Sequence, residues 1–374
     1  MGLDVERPRD EPQSRRVFGN VCDQLVRFFG SAIWEHASAR VTDTATRAFD
    51  PADTTLPQVY EELWQAMVVY LDRYAASANF EAKADRVRRF YRRVTGRVST
   101  LVSTGEVESR TATVFLQALH TMSHASIYEA IVGSHEPITP SELTTKNLAF
   151  EAVVEAMWAG YSAKARHKSH GFCHFNPHLG RRIKNRIYIS ARLSGDPVRV
   201  IRTWQFALQS AACQERVYFK IPGTLSRRFE TIVVFQTDDM NDSAMAPLLE
   251  SFAQSCPTNM LNPSDMPTTV PLARGISLAP EPVEINTLNR YSGRPGRLSY
   301  NQVIAGVTEL AFELACTDAT SSGGSYLMQG NVREEAGRYF DQLIKLCGID
   351  PQTMLPASQA EDRGSMVGGE TAVS

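Results

Sequence analysis

Residues 185–235 constrain the fold more than any other stretch, because they read as strand, helix, strand, strand. Asn185 to Ser190 alternates polar and apolar residues. Asp196-Pro197 opens a helix that carries Val200, Ile201, Trp204, Ala207 and Leu208 on one face. Val217 to Pro222 is a second strand, and Phe229 to Phe235 a third. Each strand carries a cation: Arg186, Lys220, and Arg228 at the start of the third. Cations beside β-branched residues ordinarily point to solvent. Three on neighbouring strands of one small sheet can instead converge on an anion.

The flanking sequence sets the rest of the architecture. Apolar residues recur at helical spacing over 17–39, 55–76, 79–104, 111–132 and from Thr139 towards Ala165. In the third of these, Arg86, Arg88, Arg89, Arg92 and Arg93 fill the positions between Val87, Phe90, Tyr91 and Val94, which predicts a basic outer face. Glycine, histidine and strands appear after Lys164. Pro257 to Asn286 reads as one long connection, a length usual for functional or mobile loops. Helices are expected at 299–315 and 332–347. The class is therefore α+β, with a mostly helical N-terminal half and a small mixed or antiparallel sheet with helices in the C-terminal half. The expected division is a disordered N-terminus over 1–15, a helical domain over 16–165, an α+β catalytic domain over 166–355 and a disordered tail over 356–374.

Charge and cysteine usage narrow the function classes. The formal net charge is -2 over 374 residues, so no global field draws the chain to nucleic acid or to a membrane. The charge is local: seven lysines and arginines and four histidines lie between Lys164 and Arg186, with no acid. The six cysteines are scattered without a Cys-x-x-Cys pair, which suits reduced thiols and a cytoplasmic location. No membrane span is expected, since no apolar run reaches about 18 residues. His167, His170, His174 and His178 surround Cys173, but Gly171 and Pro177 interrupt any helical ligand face, so no metal is expected.

Lys220 lies between Phe219 and Ile221. Burial and neighbouring cations would lower its pKa and leave a neutral amine able to take a proton from carbon. Arg186 and Arg228 are suited to phosphate, because the guanidinium fork makes parallel charge-assisted hydrogen bonds. Arg186 and Tyr188 are two apart and share one strand face. Together these residues suit β-elimination of phosphate from phosphoserine or phosphothreonine. Each also has an ordinary reading: a snorkelling lysine, a turn arginine, a core tyrosine.

The run Arg186-Ile187-Tyr188-Ile189-Ser190, then Tyr218-Phe219-Lys220-Ile221, then Arg228-Phe229-Glu230-Thr231-Ile232 resembles the Hop-type type III effector family of plant-pathogenic bacteria. Gly275 to Pro282 and an arginine-led helix after Gly296 extend the likeness over roughly residues 165–318. Relatives of that family act as stand-alone lyases in class V lanthipeptide and thioamitide biosynthesis. The resemblance implies a cofactor-independent lyase that leaves dehydroalanine or dehydrobutyrine in a precursor peptide phosphorylated by a kinase-like partner. It implies Lys220 as base and Arg186 and Arg228 on phosphate, with Glu230 where an aspartate is expected. Arg297 or Arg294 matches the arginine before the late helix. Tyr188, His170 and His174 are the candidates for the general acid. The alternative is a non-catalytic, effector-like module that binds phosphorylated or acidic peptides. Nucleic-acid binding ranks last, given few aromatics in the basic island and the negative net charge.

Overall fold

The computed structural model describes residues 11–30, 54–134, 136–237, 240–264, 266–294, 296–321 and 329–357. It is α+β, and every strand pairing is antiparallel. The chain divides into two compact units, one made of residues 1–128 and 282–374, the other of residues 129–281.

The first unit is helical: α1 (Gln13–Phe29), α2 (Leu56–Asp72), α3 (Phe80–Ser103) and α4 (Ser109–Ala118) from the N-terminal part, with α9 (Val283–Tyr291), α10 (Tyr300–Ser321) and α11 (Gln329–Leu346) from the C-terminal part. Thr55 starts α2 with a capping box, its backbone N–H donating to Gln58 Oε1 at 2.7 Å. Phe18 packs against Phe312 of α10 and Phe340 of α11, which ties the two parts of the chain together. α1 begins at Gln13, inside the segment expected to be disordered, because Ser14 donates to Asp341 Oδ1 at 2.7 Å and Arg15 pairs with the same carboxylate. The expected helix over 111–132 is interrupted. α4 ends at Ala118, and Glu309 then accepts the Ser126 backbone N–H at 3.0 Å and its hydroxyl at 2.6 Å, which fixes the non-helical segment before Tyr128. The expected disorder over 1–10 and 358–374 and part of the helix expected over 17–39 lie outside the described residues.

The second unit is one seven-stranded sheet with helices on one face. Its strands are β1 (Arg166–Ser169), β2 (Phe172–Phe175), β3 (Ile183–Ile189), β4 (Tyr218–Pro222), β5 (Ile232–Thr237), β6 (Val270–Ala273) and β7 (Ile276–Pro280). Their order in space is β1-β2-β4-β5-β3-β7-β6. Its helices are α5 (Tyr128–Val132, apart from Tyr128), α6 (Pro140–Ala159), α7 (Pro197–Ser210) and α8 (Asp242–Ser255). Thr139, Asp196 and Asn241 cap α6, α7 and α8 by accepting backbone N–H groups of the first turn. α6, α7 and α8 lay Phe150, Trp204 and Phe252 onto Phe175, Phe219, Val234 and Ile187 of the sheet.

Two expectations change here. The unit boundary does not fall near residue 165, because α6 sends Phe150, Val154 and Met157 into the core under the sheet, and the helices after Glu281 join the first unit. The expected long connection over 257–286 contains the β6–β7 hairpin. Gly275 turns it at φ +66°, where a Cβ would stand 2.8 Å from Leu261 Cβ and 3.0 Å from the Ser190 carbonyl oxygen. β6 is an edge strand, the position in a sheet that tolerates Pro271. The first part of the basic island likewise forms the β1–β2 hairpin, turned by His170 at φ +50° and Gly171 at φ +76°, and its end lies on β3.

Candidate active site

Strand register gathers the site on the sheet face opposite the helices. Directly opposed residues share a face. His167, His174, Lys220, Val233, Tyr188 and Ser277 therefore form one row across β1, β2, β4, β5, β3 and β7. The adjoining row on that face holds Tyr218, Phe235, Arg186 and Ala279. Lys220 and Arg186 are not on paired strands, as the sequence had suggested. β5 lies between them, so the two strands are about 10 Å apart. Arg228 lies before β5 rather than on it, in an isolated bridge with Gly133, and its guanidinium pairs with Glu129 at 2.5 Å.

Lys220 is the chemically distinctive group of this face. Its ammonium stands 3.8 Å from the centre of the Phe172 ring. Among the described residues no carboxylate lies within ion-pairing distance of it. Burial pushes its pKa down to about 8. Arg186 and Arg228 act in the same direction, against Glu230 and Glu281.

Arg186 is buried and donates from Nε to Glu281 Oε2 at 2.6 Å. Its guanidinium also lies 5.4 Å from the Phe235 ring centre. Burial opposes its charge, but Tyr188, Glu281 and Glu230 outweigh that and raise its pKa. Glu281 is fixed through its backbone N–H, which donates to the Lys184 carbonyl at 2.8 Å. Tyr188 is buried at 1% exposure. Glu230 is also buried, in the loop that leads into β5.

The histidines separate. His174 stands directly opposite Lys220 on β2. Its Nδ1 is 3.0 Å from the Tyr218 hydroxyl and its Nε2 is 3.0 Å from Ser169 Oγ. Burial lowers its pKa to about 4, helped by Lys220, His167 and His170. It is therefore a neutral imidazole at neutral pH, which removes it as a proton donor there. His170 is exposed at the hairpin tip. Arg294 and Arg297 belong to the helical unit. There Arg294 donates to the Leu116 carbonyl at 3.1 Å, at the end of α4, and Arg297 is exposed.

Sequence reasoning missed Glu281 and Tyr218. A glutamate between Pro280 and Pro282, at the end of a strand that pairs with β3, was the available signal for the first. Position i−2 from Lys220 was the signal for the second. Among the described residues no group of three or more His, Cys, Asp or Glu is gathered as a metal ion would need. No described helix is long and apolar enough to cross a membrane.

No family model and no curated protein matches the chain. The solved structures similar in part include two effector proteins. One is an effector protein from Pseudomonas syringae pv. syringae strain 61, with a TM-score of 0.35 and 9% identity over 66% of this chain and 98% of that one. The other is an effector protein from Pseudomonas syringae pv. tomato strain DC3000, with a TM-score of 0.34 and 14% identity over the same shares, 66% and 98%.

Proposed function

We propose that the protein is a cofactor-independent lyase that eliminates phosphate from phosphoserine or phosphothreonine in a peptide, leaving dehydroalanine or dehydrobutyrine. The observation that carries this reading is Lys220, a cation without a carboxylate partner among the described residues, on the same sheet face as Arg186 and Tyr188, with its pKa lowered to about 8. An amine with that pKa is partly neutral near physiological pH and serves as a general base.

In this mechanism the Lys220 amine takes the α-proton. The electron pair forms the Cα–Cβ double bond, and the Cβ–O bond breaks with its electrons going to phosphate. Arg186 and Arg228 hold the phosphoryl oxygens and stabilise the departing charge. Because His174 is neutral and His170 sits at an exposed hairpin tip, Tyr188 is the acid that protonates the leaving oxygen. The substrate in this reading is a precursor peptide phosphorylated by a kinase-like partner, as in lanthipeptide or thioamitide biosynthesis.

Both arginines already hold carboxylates, Glu281 and Glu129. That observation favours the second reading, a non-catalytic module in which phosphorylated or acidic peptides exchange with those carboxylates. Mass spectrometry of a phosphopeptide incubated with wild type and Lys220→Met separates the two. A loss of about 98 Da per phosphoryl group that requires Lys220 supports elimination at a lysine base. Binding without any mass change rejects it.

A further inference from the structure

Helix α3 carries five arginines within eight positions: Arg86, Arg88, Arg89, Arg92 and Arg93. All five are exposed. Their apolar neighbours Val87, Phe90 and Val94 are buried on the opposite side of the helix. Arg89 pairs with Asp85 one turn earlier. Among the described residues, Arg86, Arg88, Arg92 and Arg93 have no carboxylate within ion-pairing distance.

This arrangement works against the helix that bears it. Arg86 and Arg89, Arg89 and Arg92, Arg88 and Arg92, and Arg89 and Arg93 are three or four positions apart, so like charges lie side by side. Other arginines of the same unit are held by carboxylates, Arg97 by Glu284, Arg110 by Asp318 and Arg338 by Glu108 and Glu335, while Arg16, Arg27, Arg73 and Arg290 are single exposed cations outside any such cluster. The contrast is between cations held by carboxylates and a cluster of exposed cations on α3, of which Arg93 also lies 5.3 Å from the Phe90 ring centre.

We infer that the exposed arginine stripe of α3 is a docking surface for an acidic segment of a polypeptide partner. Guanidinium groups prefer carboxylates, which they meet with two parallel hydrogen bonds, and a bound acidic segment would relieve the repulsion along the helix. At 3.6 residues per turn the five arginines spread over about 160° of the helix, its whole exposed side. Exposed Glu61 and Glu62 lie on α2, and Glu61 is close enough to Tyr91 of α3 to influence its hydroxyl. Glu81 and Asp85 lie at the start of α3 itself. Acids on its flanks suit one acidic peptide strand better than the broad phosphate array of a nucleic acid. This inference does not depend on the elimination chemistry at Lys220.

The test uses the full chain and a fluorescein-labelled synthetic peptide of alternating glutamate and glycine, followed by anisotropy at low salt. The Arg86→Gln/Arg88→Gln/Arg92→Gln/Arg93→Gln variant should bind about tenfold more weakly or worse, with a shallower salt dependence. Its melting temperature should stay level or rise, because the repulsion is gone. Arg199→Gln/Arg202→Gln, which removes two exposed charges from α7, should bind as wild type does. Equal affinity of the fourfold variant and wild type overturns the inference, as does an equal loss in the α7 control. No binding by wild type at low salt also overturns it. Tighter, stripe-dependent binding of single-stranded RNA of matched charge would make the surface a nucleic-acid site instead.

Discussion

Arg186 Nε donates to Glu281 Oε2 at 2.6 Å, and both side chains are almost out of solvent, at 9% and 2% exposure. The pair joins β3 to the residue just after β7, beside a row that holds Lys220 and Tyr188. Any anion bound by Arg186 must therefore compete with a carboxylate that is already in place. An unpaired charge left behind in such a site is more costly than the pair itself.

Glu281→Ala should accordingly destabilise the protein by about 3–5 kcal/mol in urea unfolding. Arg186→Met/Glu281→Met should recover most of that loss, since neither charge is then stranded. A double variant as unstable as Glu281→Ala would mean that packing, not the orphaned guanidinium, sets the cost.

Elimination by the wild type should rise with pH and level off above about 8, as Lys220 loses its proton. Lys220→Met should abolish the activity by a factor of about 100 or more while leaving circular dichroism unchanged. The same shift has a stability consequence. The folded pKa of about 8 lies below the ordinary lysine value of 10.5, so the unfolded chain binds more protons between the two. This residue's contribution to stability should therefore rise across that window and vanish in Lys220→Met. A pH–rate profile flat from pH 6 to pH 9 would remove Lys220 as the base.

His174 makes an independent prediction on the acid side. Its pKa falls from 6.5 to about 4 on folding, so the unfolded state binds the proton first as pH drops. Stability should fall between pH 6.5 and pH 4, and part of that loss should disappear in His174→Asn. Urea midpoints at both ends of the window measure it. An unchanged slope in the variant would place the acid sensitivity elsewhere.

Trp204 is fully buried on α7, with Phe219 of β4 and Phe252 of α8 each at 5.8 Å between ring centres in edge-on contact. Trp204→Ala should cost about 3–5 kcal/mol, the range for emptying a large aromatic site in a packed core. A loss below about 1 kcal/mol would show that the helix layer collapses readily onto the sheet.

Local pattern made much of this protein legible. The helical spacing of Val59, Leu63 and Met67, the caps at Thr139 and Asp196, and the alternation leading to Arg186 each encode an element within a few neighbouring residues. They were sufficient for the α+β class and for placing Lys220 and Arg186 on one sheet face, but not for Arg228, which was expected on that face and lies before β5. The edge hairpin at Gly275 was not legible, because its strands are short, proline-bearing and set by a close approach to Leu261 and Ser190.

Sequence alone determined which side chains carry charge, which faces are apolar and where helices begin. Tertiary structure alone decided that β5 separates Lys220 from Arg186, that Glu281 occupies the arginine, and that His174 stands neutral beside the lysine. It also decided that the helices after Glu281 leave the sheet and join the N-terminal helices. The physical reason is range. Periodicity and capping are settled within one or two turns of chain, whereas strand order, buried ion pairs and lowered pKa values depend on groups tens to hundreds of residues apart, brought together only when the core closes.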